Sequence, residues 1–416
     1  MRMTDWVEEV AAPASITPEQ PARPRGLSAS AIGWALHQGG RDPYVILITI
    51  YIFAPYVATV LAPNPVEGQA LIALATTISS WIAAFTAPFL GAAVDKLGPR
   101  KPGLAITTAL MVPFILALWW MAPGSSMNLV IALLVVIGVL FSYSEIHHNA
   151  MLPTAATPDE APGASGLALS AGNGVAVLSL VFVLWAFAMP GQLDWPFIPK
   201  QPLFGLDRAA HEPDRVVALI AGGLMALSLI PVLLFARDAP RQGVTIGEAL
   251  AYSVRQIRGL LPLLKENRDA AIFLFARMLY SDGKLSLLVF GGVFAAGVMG
   301  WGVLQLLAYG VLLSAVAVVG GFSGAVFDRT LGPKRAVQLE IMGSLISMIG
   351  VLGMGKNQIL YVPYDTAAHG PVWNSPLFGS LPELVYLLCG FGLAIFITAA
   401  YASSRTLLTR LAPPDK

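Results

Sequence analysis

An apolar run at 270–299 carries ionisable side chains near its centre. Arg277, Asp282 and Lys284 fall within eight positions of one another, and Tyr280 lies between them. A charge at the centre of a bilayer costs about 2.5–3.5 kcal/mol even on insertion scales, so a charged residue in a span usually faces a cavity or a partner. We therefore expect Tyr280, Asp282 and Lys284 to line a water-filled cavity that binds a polar solute, with Arg277 on the same helix face as Lys284.

Asp282 does not share that face on a regular helix. Steps of about 100° per residue place it about 140° from Arg277 and about 200° from Lys284. Gly283 follows Asp282 directly, and a break in the helix at this glycine would turn Asp282 toward the cavity, as discontinuous helices do in transporters.

Polar side chains also follow one face at the end of the apolar run at 127–146. Glu145 and Asn149 are four positions apart, and His147 and His148 lie between them. Because histidine titrates near neutral pH, Glu145, His148 and Asn149 are candidates for a proton relay or for solute binding. Solvated side chains are the alternative. No metal site is expected, since adjacent histidines point about 100° apart on a helix.

The first apolar run, at 44–62, directly follows Arg41 and Asp42. We include both residues among the candidates for solute binding or coupling, because a charge pair at the start of a span can face its interior. The alternative is a pair that anchors the first helix at the membrane surface.

The composition predicts a protein whose solvent is lipid. The chain has 416 residues, of which 56% are hydrophobic and only 12% charged, and its mean hydropathy is +0.70. Soluble domains carry about 25% charged residues. A net charge of +1 argues against a nucleic-acid partner, which would require a basic face.

Neither an enzyme nor a nucleotide-driven pump is expected. The sequence has no G-x-x-x-x-G-K-(S/T) loop for phosphates and no catalytic arrangement in its loops. We therefore expect no cofactor, and the expected partners are the lipid bilayer, a small-molecule solute and a coupling proton.

The apolar runs are long enough for ten transmembrane helices, each needing about 20 residues. Of the 25 Lys and Arg residues, 19 fall on one side and four on the other. This bias predicts a cytoplasmic amino terminus, in a bacterial inner (cell) membrane. The runs lie near 44–62, 69–94, 103–122, 127–146, 166–189, 215–236, 270–299, 302–327, 336–354 and 381–402.

A turn between the second and third runs recurs 233 positions later, between the eighth and ninth. In each copy an apolar helix leads to an acid, then to a Gly-Pro pair with basic residues. We expect the glycines to allow close helix packing and unusual backbone angles, and the acid to accept bonds from amides of a neighbouring helix start. The paired residues are Gly91, Asp95, Gly98 and Arg100 in the first copy, and Gly324, Asp328, Gly332 and Arg335 in the second.

This duplicated turn resembles the signature loop of the major facilitator superfamily. The resemblance implies an all-α, polytopic membrane protein with two helical halves around a central site. It also implies a secondary active transporter that works by alternating access, with the signature turns stabilising one conformation.

Four segments follow from this organisation. Residues 1–30 are polar and proline-rich and predict a disordered cytosolic tail, and 31–236 form an N-terminal half of six helices. The linker 237–268 carries Thr245 and Glu248 at capping-box spacing before apolar residues on one face, which predicts an amphipathic helix on the cytosolic surface. A partner-binding helix is the alternative there. Residues 269–416 form the C-terminal half.

The seventh run narrows the resemblance to the vacuole effluxer-like branch of the superfamily, which includes a fungal vacuolar amino-acid exporter. The matching residues are Phe275-Ala276, Leu279-Tyr280-Ser281-Asp282-Gly283 and Phe290-Gly291-Gly292-Val293. Amino acids are therefore the implied solute. The first helix departs from the branch, since Gln38-Gly39-Gly40-Arg41-Asp42 stands where the branch tends to have an acidic-aromatic-small-Asn-Ser run.

The second half is expected to be incomplete. Six runs precede the linker and four follow it, and the residues after the tenth run echo those after the fourth. We therefore expect the last two helices of the family pattern to be missing. A non-transporting scaffold or a remnant transporter is the alternative function.

Overall fold

The computed structural model describes residues 26–191, 196–258, 268–301, 303–373 and 377–411. Most of the predicted tail 1–30 and the linker stretch 259–267 lie outside these residues. The described chain is almost entirely helical, as expected.

The described residues form ten long helices, α1 to α10, which correspond one to one with the ten apolar runs. Nine of them satisfy the length and hydropathy of a membrane span among the described residues. The remaining helix, α7, has 32 residues and is about 48 Å long at about 1.5 Å per residue. The helices are α1 Ala29–Leu61, α2 Pro65–Leu97, α3 Lys101–Ala117, α4 Met127–Ala155, α5 Ala161–Val183, α6 Glu212–Phe235, α7 Arg268–Met299, α8 Val303–Leu331, α9 Pro333–Leu352 and α10 Leu381–Leu411.

The start of α1 differs from the prediction. The helix begins at Ala29, 15 residues before the predicted 44, and Arg41 is a buried residue inside it, 1% exposed. The interpretation of Arg41 and Asp42 as a surface anchor pair is therefore wrong. Polar side chains lower the hydropathy of this stretch, but they face partners within the bundle.

The first helix also changes its winding. It contains π-helical turns at Val45–Tyr51 and Val57–Leu61, separated by the α-helical turn Phe53–Tyr56. Pro55 lies within this stretch and Pro43 lies two residues before it, and proline removes a backbone donor from the helical ladder. Single π turns are common where a helix carries a functional site.

Helices α5, α8 and α10 form the contact between the two halves. Ser170 Oγ donates to the carbonyl oxygen of Val318 at 2.8 Å, and Ser165 Oγ donates to that of Ala402 at 3.1 Å. A side chain at Gly166 would meet the carbonyl oxygen of Gly321. Small residues and hydroxyl groups allow helices to pack closely in lipid, where no hydrophobic force drives them together.

The C-terminal half has an aromatic core at the end away from the signature turns. The indole ring of Trp301 packs against Tyr309, Phe378 and Tyr386, with ring centroids 5.0–5.2 Å apart. A hairpin of two short strands, β1 Gln358–Ile359 and β2 Val362–Pro363, follows α9 at this end.

The linker begins with the predicted helix, Ile246–Arg258. Thr245 and Glu248 form the capping box, with the Thr245 amide donating to Glu248 Oε2 at 2.8 Å and the Glu248 amide donating to Thr245 Oγ1 at 3.3 Å. These bonds lower the pKa of Glu248. Ala249 and Ser253 are buried, whereas Leu250 is exposed.

A second capping box joins the starts of α1 and α5. Glu160 Oε2 accepts hydrogen bonds from the Thr157 amide and hydroxyl at 3.0 and 3.1 Å, and Oε1 accepts one from the Ser28 amide at 2.7 Å. The Thr157 amide is the main cause of a lowered pKa at Glu160. This carboxylate therefore fixes two helix starts together.

We expect Glu160→Ala to destabilise the protein by about 1 kcal/mol at neutral pH, the usual effect of losing a cap. A carboxyl whose pKa is lowered by folding contributes stability above its unfolded pKa, and the contribution disappears as pH falls through the folded value. Thermal unfolding in detergent should therefore show a difference from wild type that shrinks in acid. Asp159→Asn, at the exposed neighbouring position, is the control, and a difference that grows in acid would contradict this role.

Candidate functional site

Glu145 on α4 lies at the centre of a group of charged side chains. Tyr401 Oη on α10 donates to Glu145 Oε1 at 2.7 Å, and Arg41 Nη2 on α1 lies 3.4 Å from Glu145 Oε2. Glu145 thus joins two helices of the N-terminal half to the last helix of the C-terminal half. The Glu145 side chain remains 34% exposed, whereas that of Arg41 is 1% exposed.

Two further cations contact the ring of Tyr401. Lys284 Nζ on α7 lies 4.1 Å from the ring centroid, and the Arg405 guanidinium carbon on α10 lies 4.6 Å from it. Arg41 makes a similar contact with the ring of Phe141, at 4.4 Å. The electron-rich faces of aromatic rings attract cations, most strongly away from water.

Three residues of the group lie well inside their helices. Arg41 is twelve residues from the start of α1, Glu145 ten from the end of α4 and Arg405 six from the end of α10. These separations correspond to depths of about 18, 15 and 9 Å along the helices. All three are measured from the end of the bundle that also holds Gly98 and Gly332, which we name the turn end.

Asp42 is the second acid of the group. Its Oδ1 accepts a hydrogen bond from Gln38 Nε2 at 2.6 Å. Its Oδ2 occupies the space that a side chain at position 172 of α5 would fill, and Gly172 leaves that space open. Asp42 interacts electrostatically with Arg41, Arg405 and Glu145. It therefore belongs to the same group.

The group carries more positive than negative charge. Its cations are Arg41, Arg277, Lys284 and Arg405, and its acids are Asp42 and Glu145, each interacting electrostatically with several of the others. Such an arrangement can bind a polar or charged solute.

The predicted residues of α7 separate into two sets. Lys284 and Arg277 reach the charged group, whereas Tyr280 Oη donates to the carbonyl oxygen of Ile397 at 3.0 Å. The side chain of Asp282 is exposed, and α7 continues without interruption through Gly283. The predicted helix break is therefore wrong, because a helix tolerates an isolated glycine whose neighbours keep their hydrogen bonds.

The two adjacent histidines of α4 have separate packing partners. The His148 ring stacks on Trp34 at 4.5 Å between centroids, and its Nε2 lies 2.9 Å from the Trp34 carbonyl oxygen. His147 packs against Gly103 of α3. Asn149 Oδ1 is buried and has no hydrogen-bond partner within the described residues. His148 therefore serves the packing of α1 on α4.

The first signature turn has a different acid at the helix start from the one predicted. Gly98 has φ of 93°, a conformation that glycine adopts without strain. Asp238, just after α6, accepts hydrogen bonds from the amides of Arg100 and Lys101 at 2.8 and 3.0 Å. Asp95 Oδ1 instead lies 3.0 Å from Arg100 Nη2. The prediction that Asp95 accepts these amides is wrong.

The glycines that precede the two turns also differ from each other. A side chain at Gly91 would meet no atom of the described residues within 4 Å, so the expected close packing is not seen in that part of the chain. A side chain at Gly324 would lie 3.0 Å from the carbonyl oxygen of Ala399 on α10. The second copy therefore supports a close helix contact, and the first does not.

The second signature turn places two acids in the interior. Asp328 is 3% exposed and Glu340 on α9 is fully buried. Ser403 Oγ donates to Glu340 Oε1 at 2.9 Å, while the Asp328 oxygens complete no hydrogen bond within the described residues, although Ser403 and Thr406 lie close to them. Gly332 has φ of 78°, and Arg335 is exposed.

Three residues of this region were not predicted. Tyr401 and Arg405 lie four positions apart and therefore on one face of α10, but the predicted run ended at 402 and Arg405 was assigned to the cytoplasmic side. Glu340 lies eight residues into α9. Arg405 lies where α10 continues beyond the predicted run. Tyr401 and Glu340 lie inside predicted runs, where an ionisable side chain was the signal.

A separate cavity of about 160 Å³ lies at the turn end. Its lining is mostly apolar, and it contains none of the charged groups around Glu145. The lining residues are Leu152, Pro153, Ala156, Pro158, Ala161, Thr409 and Arg410.

The helical bundle is similar to solved transporters. The xylose transporter XylE from E. coli, in a partially occluded inward-open conformation, matches with a TM-score of 0.56 and 13% identity over 93% of this chain and 86% of that one. FucP in the outward conformation matches with a TM-score of 0.56 and 16% identity over 92% and 87%. A bacterial homologue of the iron transporter ferroportin matches with a TM-score of 0.56 and 13% identity over 92% and 84%. At these identities the likeness shows the fold alone.

Sequence comparison gives the same assignment. No curated protein matches the chain. The family model for the Major Facilitator Superfamily matches residues 44–416, which include both signature turns and every residue around Glu145 except Arg41 and Asp42 and their neighbours on α1. The chain belongs to the Major Facilitator Superfamily.

Proposed function

We propose that the protein is a secondary active transporter that moves a small polar solute by alternating access around the charged group at Glu145. The observation that carries the proposal is the Tyr401–Glu145 hydrogen bond. It joins the two halves at a depth of about 15 Å along α4, and ionisable groups this far inside a membrane bundle are costly and usually line a solute or ion pathway.

The packing between the halves supports this mechanism. The contact of α5 with α8 and α10 depends on small residues and on a few hydroxyl-to-carbonyl bonds. Such surfaces can separate and re-form with little loss of buried side-chain contacts, as rocking of two repeats about a fixed site requires. The fold is shared with proteins solved in inward-open and outward conformations.

The solute and the coupling ion belong to the proposal as well. Structural neighbours include a D-xylose-proton symporter and a nucleoside transporter, so the fold serves unrelated solutes. The resemblance to the vacuole effluxer-like branch favours amino acids. A proton remains the proposed coupling ion, and the acids of the group, Asp42 and Glu145, are the proposed sites for it.

The membrane orientation is proposed from the basic residues. Arg41 and Arg405 lie inside the bundle, which removes two of the 19 residues first assigned to the cytoplasmic side. The remaining excess of Lys and Arg on that side still favours a cytoplasmic location for the turn end and the amino terminus. The proposed membrane is a cell membrane. The signature turns would then stabilise one conformation from the cytoplasmic side.

We expect Glu145→Gln to reduce transport at least about tenfold, because the substitution removes the charge that Arg41 faces and weakens the bond to Tyr401. The measurement is uptake of a labelled amino-acid mixture into proteoliposomes, with and without a pH gradient. Glu67→Gln, at an exposed position on the first turn of α2, is the matched control. Native transport by Glu145→Gln at equal protein amount would remove Glu145 from the pathway.

Asp95→Asn should slow transport while leaving membrane insertion intact. An exposed ion pair such as Asp95–Arg100 contributes at most about 1 kcal/mol, so its loss should change the balance of conformations more than stability. If the two side chains act together, the double variant that combines Asp95→Asn with Arg100→Gln should transport no more slowly than either single variant. Additive losses would show that the pair does not act as a unit.

Accessibility to water tests the location of the site. In a Cys389→Ser background, Lys284→Cys and Asn149→Cys should react with a membrane-impermeant thiol reagent, because water reaches the proposed pathway. Phe275→Cys, 61% exposed on the outer surface of the helix bundle, should react only with a lipid-soluble reagent. The reverse pattern would place Lys284 and Asn149 against lipid or in packed protein.

A further inference from the structure

We infer that the transported solute carries an anionic group, a carboxylate or a phosphate, and that Arg405 binds it together with Arg41 and Lys284. This inference rests on the proposed function and specifies its substrate class. The observation behind it is that the buried guanidinium of Arg405 has no hydrogen-bond acceptor among the described residues.

Arg405 is a buried arginine whose guanidinium donates no hydrogen bond to any residue that the structure describes. It is 4% exposed, and none of its three side-chain nitrogens has a hydrogen-bond acceptor among the residues that the structure describes. Its contact is with the ring of Tyr401. Because a buried polar group without a partner is costly, arginines in protein interiors are normally paired with carboxylates. Within the described ranges, the five N–H donors of Arg405 therefore lack a hydrogen-bond acceptor.

The neighbouring acids already have partners. Glu145 Oε1 accepts from Tyr401 and Oε2 faces Arg41, while Asp42 Oδ1 accepts from Gln38. Arg41 is itself only partly satisfied, since its Nε and Nη1 have no acceptor in the described part of the chain. The acids of the group thus leave both arginines with unused donors.

The cations converge on one place. Arg405 and Lys284 contact the same tyrosine ring, and that tyrosine donates to the carboxylate that Arg41 faces. Arg41, Lys284 and Arg405 all interact electrostatically with Glu145. An anion bound beside Tyr401 would therefore meet donors from α1, α7 and α10 and join the two halves through its own charge.

The chemistry of these donors selects the class of solute. A guanidinium is a planar fork that binds a carboxylate or a phosphate through two parallel hydrogen bonds. A surplus of cations in a low-dielectric interior repels a metal cation and is neutralised by an anion. A neutral sugar would leave that surplus uncompensated.

The first test uses the intact, purified protein and measures thermal unfolding in detergent with defined probes. Succinate, inorganic phosphate and glycerol 3-phosphate are compared with succinamide, the neutral analogue of succinate, and with xylose. We expect at least one anion to raise the unfolding temperature in a saturable way, and the neutral probes to leave it unchanged. Comparing the stabilisation by succinate with that by the two phosphate compounds distinguishes a carboxylate site from a phosphate site. Stabilisation by the neutral probes alone, or by none of the five, would overturn the inference.

The second test assigns the anion to Arg405. Arg405→Gln should lower the affinity for the stabilising anion at least about tenfold, which corresponds to about 1.4 kcal/mol of binding free energy. Arg405→Lys should lower that affinity less, because the charge is kept. Arg255→Gln, at an exposed position on the linker helix, should bind as wild type. Equal binding by Arg405→Gln and wild type would overturn the assignment.

Proteoliposome uptake separates this inference from the proposed function. If the protein takes up a neutral solute and Arg405→Gln leaves that uptake unchanged, the anionic site is overturned, whereas the proposed transport function still holds. An anion that stabilises the protein but is never moved across the bilayer would support the site and count against transport.

Discussion

The energetic cost of charge in a membrane interior constrains this structure more than any other factor. Six ionisable side chains from four helices lie between the two halves, and each depends on the others for solvation. Tyr401 and Glu145 make the central contact, and the cations surround it. The burial of Arg41 inside α1 and the space that Gly172 leaves for Asp42 both bring these groups together.

Sequence patterns predicted the helices well and their polar ends poorly. Ten apolar runs gave ten helices, because a span has to be apolar over about 20 residues whatever it packs against. The predicted first run begins at 44 and the predicted tenth run ends at 402, because Arg41, Asp42 and Arg405 lower the hydropathy beyond those limits. Arg41 pairs with a residue 104 positions away and Tyr401 with one 256 positions away. A hydropathy window cannot detect such partners.

The signature turns show the same limit on a smaller scale. The backbone conformation of Gly98 followed from its place in a Gly-Pro turn, since local sterics decide it. The partner of the helix start did not follow, because Asp238 lies 138 positions beyond Arg100 and reaches it only through the packing of α6 on α3. Local chemistry predicted that an acid would cap this helix, but only the fold determined which acid.

The hydrogen bond from Tyr401 to Glu145 crosses the plane along which the two halves would separate. A motion that parts α4 from α10 at this depth has to break it, and both groups then need new hydrogen-bond partners, because an unpaired polar group in the interior is costly. A bound solute can supply those partners in fixed positions, whereas an empty site offers only water. The unloaded protein should therefore change conformation more slowly than the loaded one, so that exchange of one solute molecule for another across the bilayer outpaces net flux.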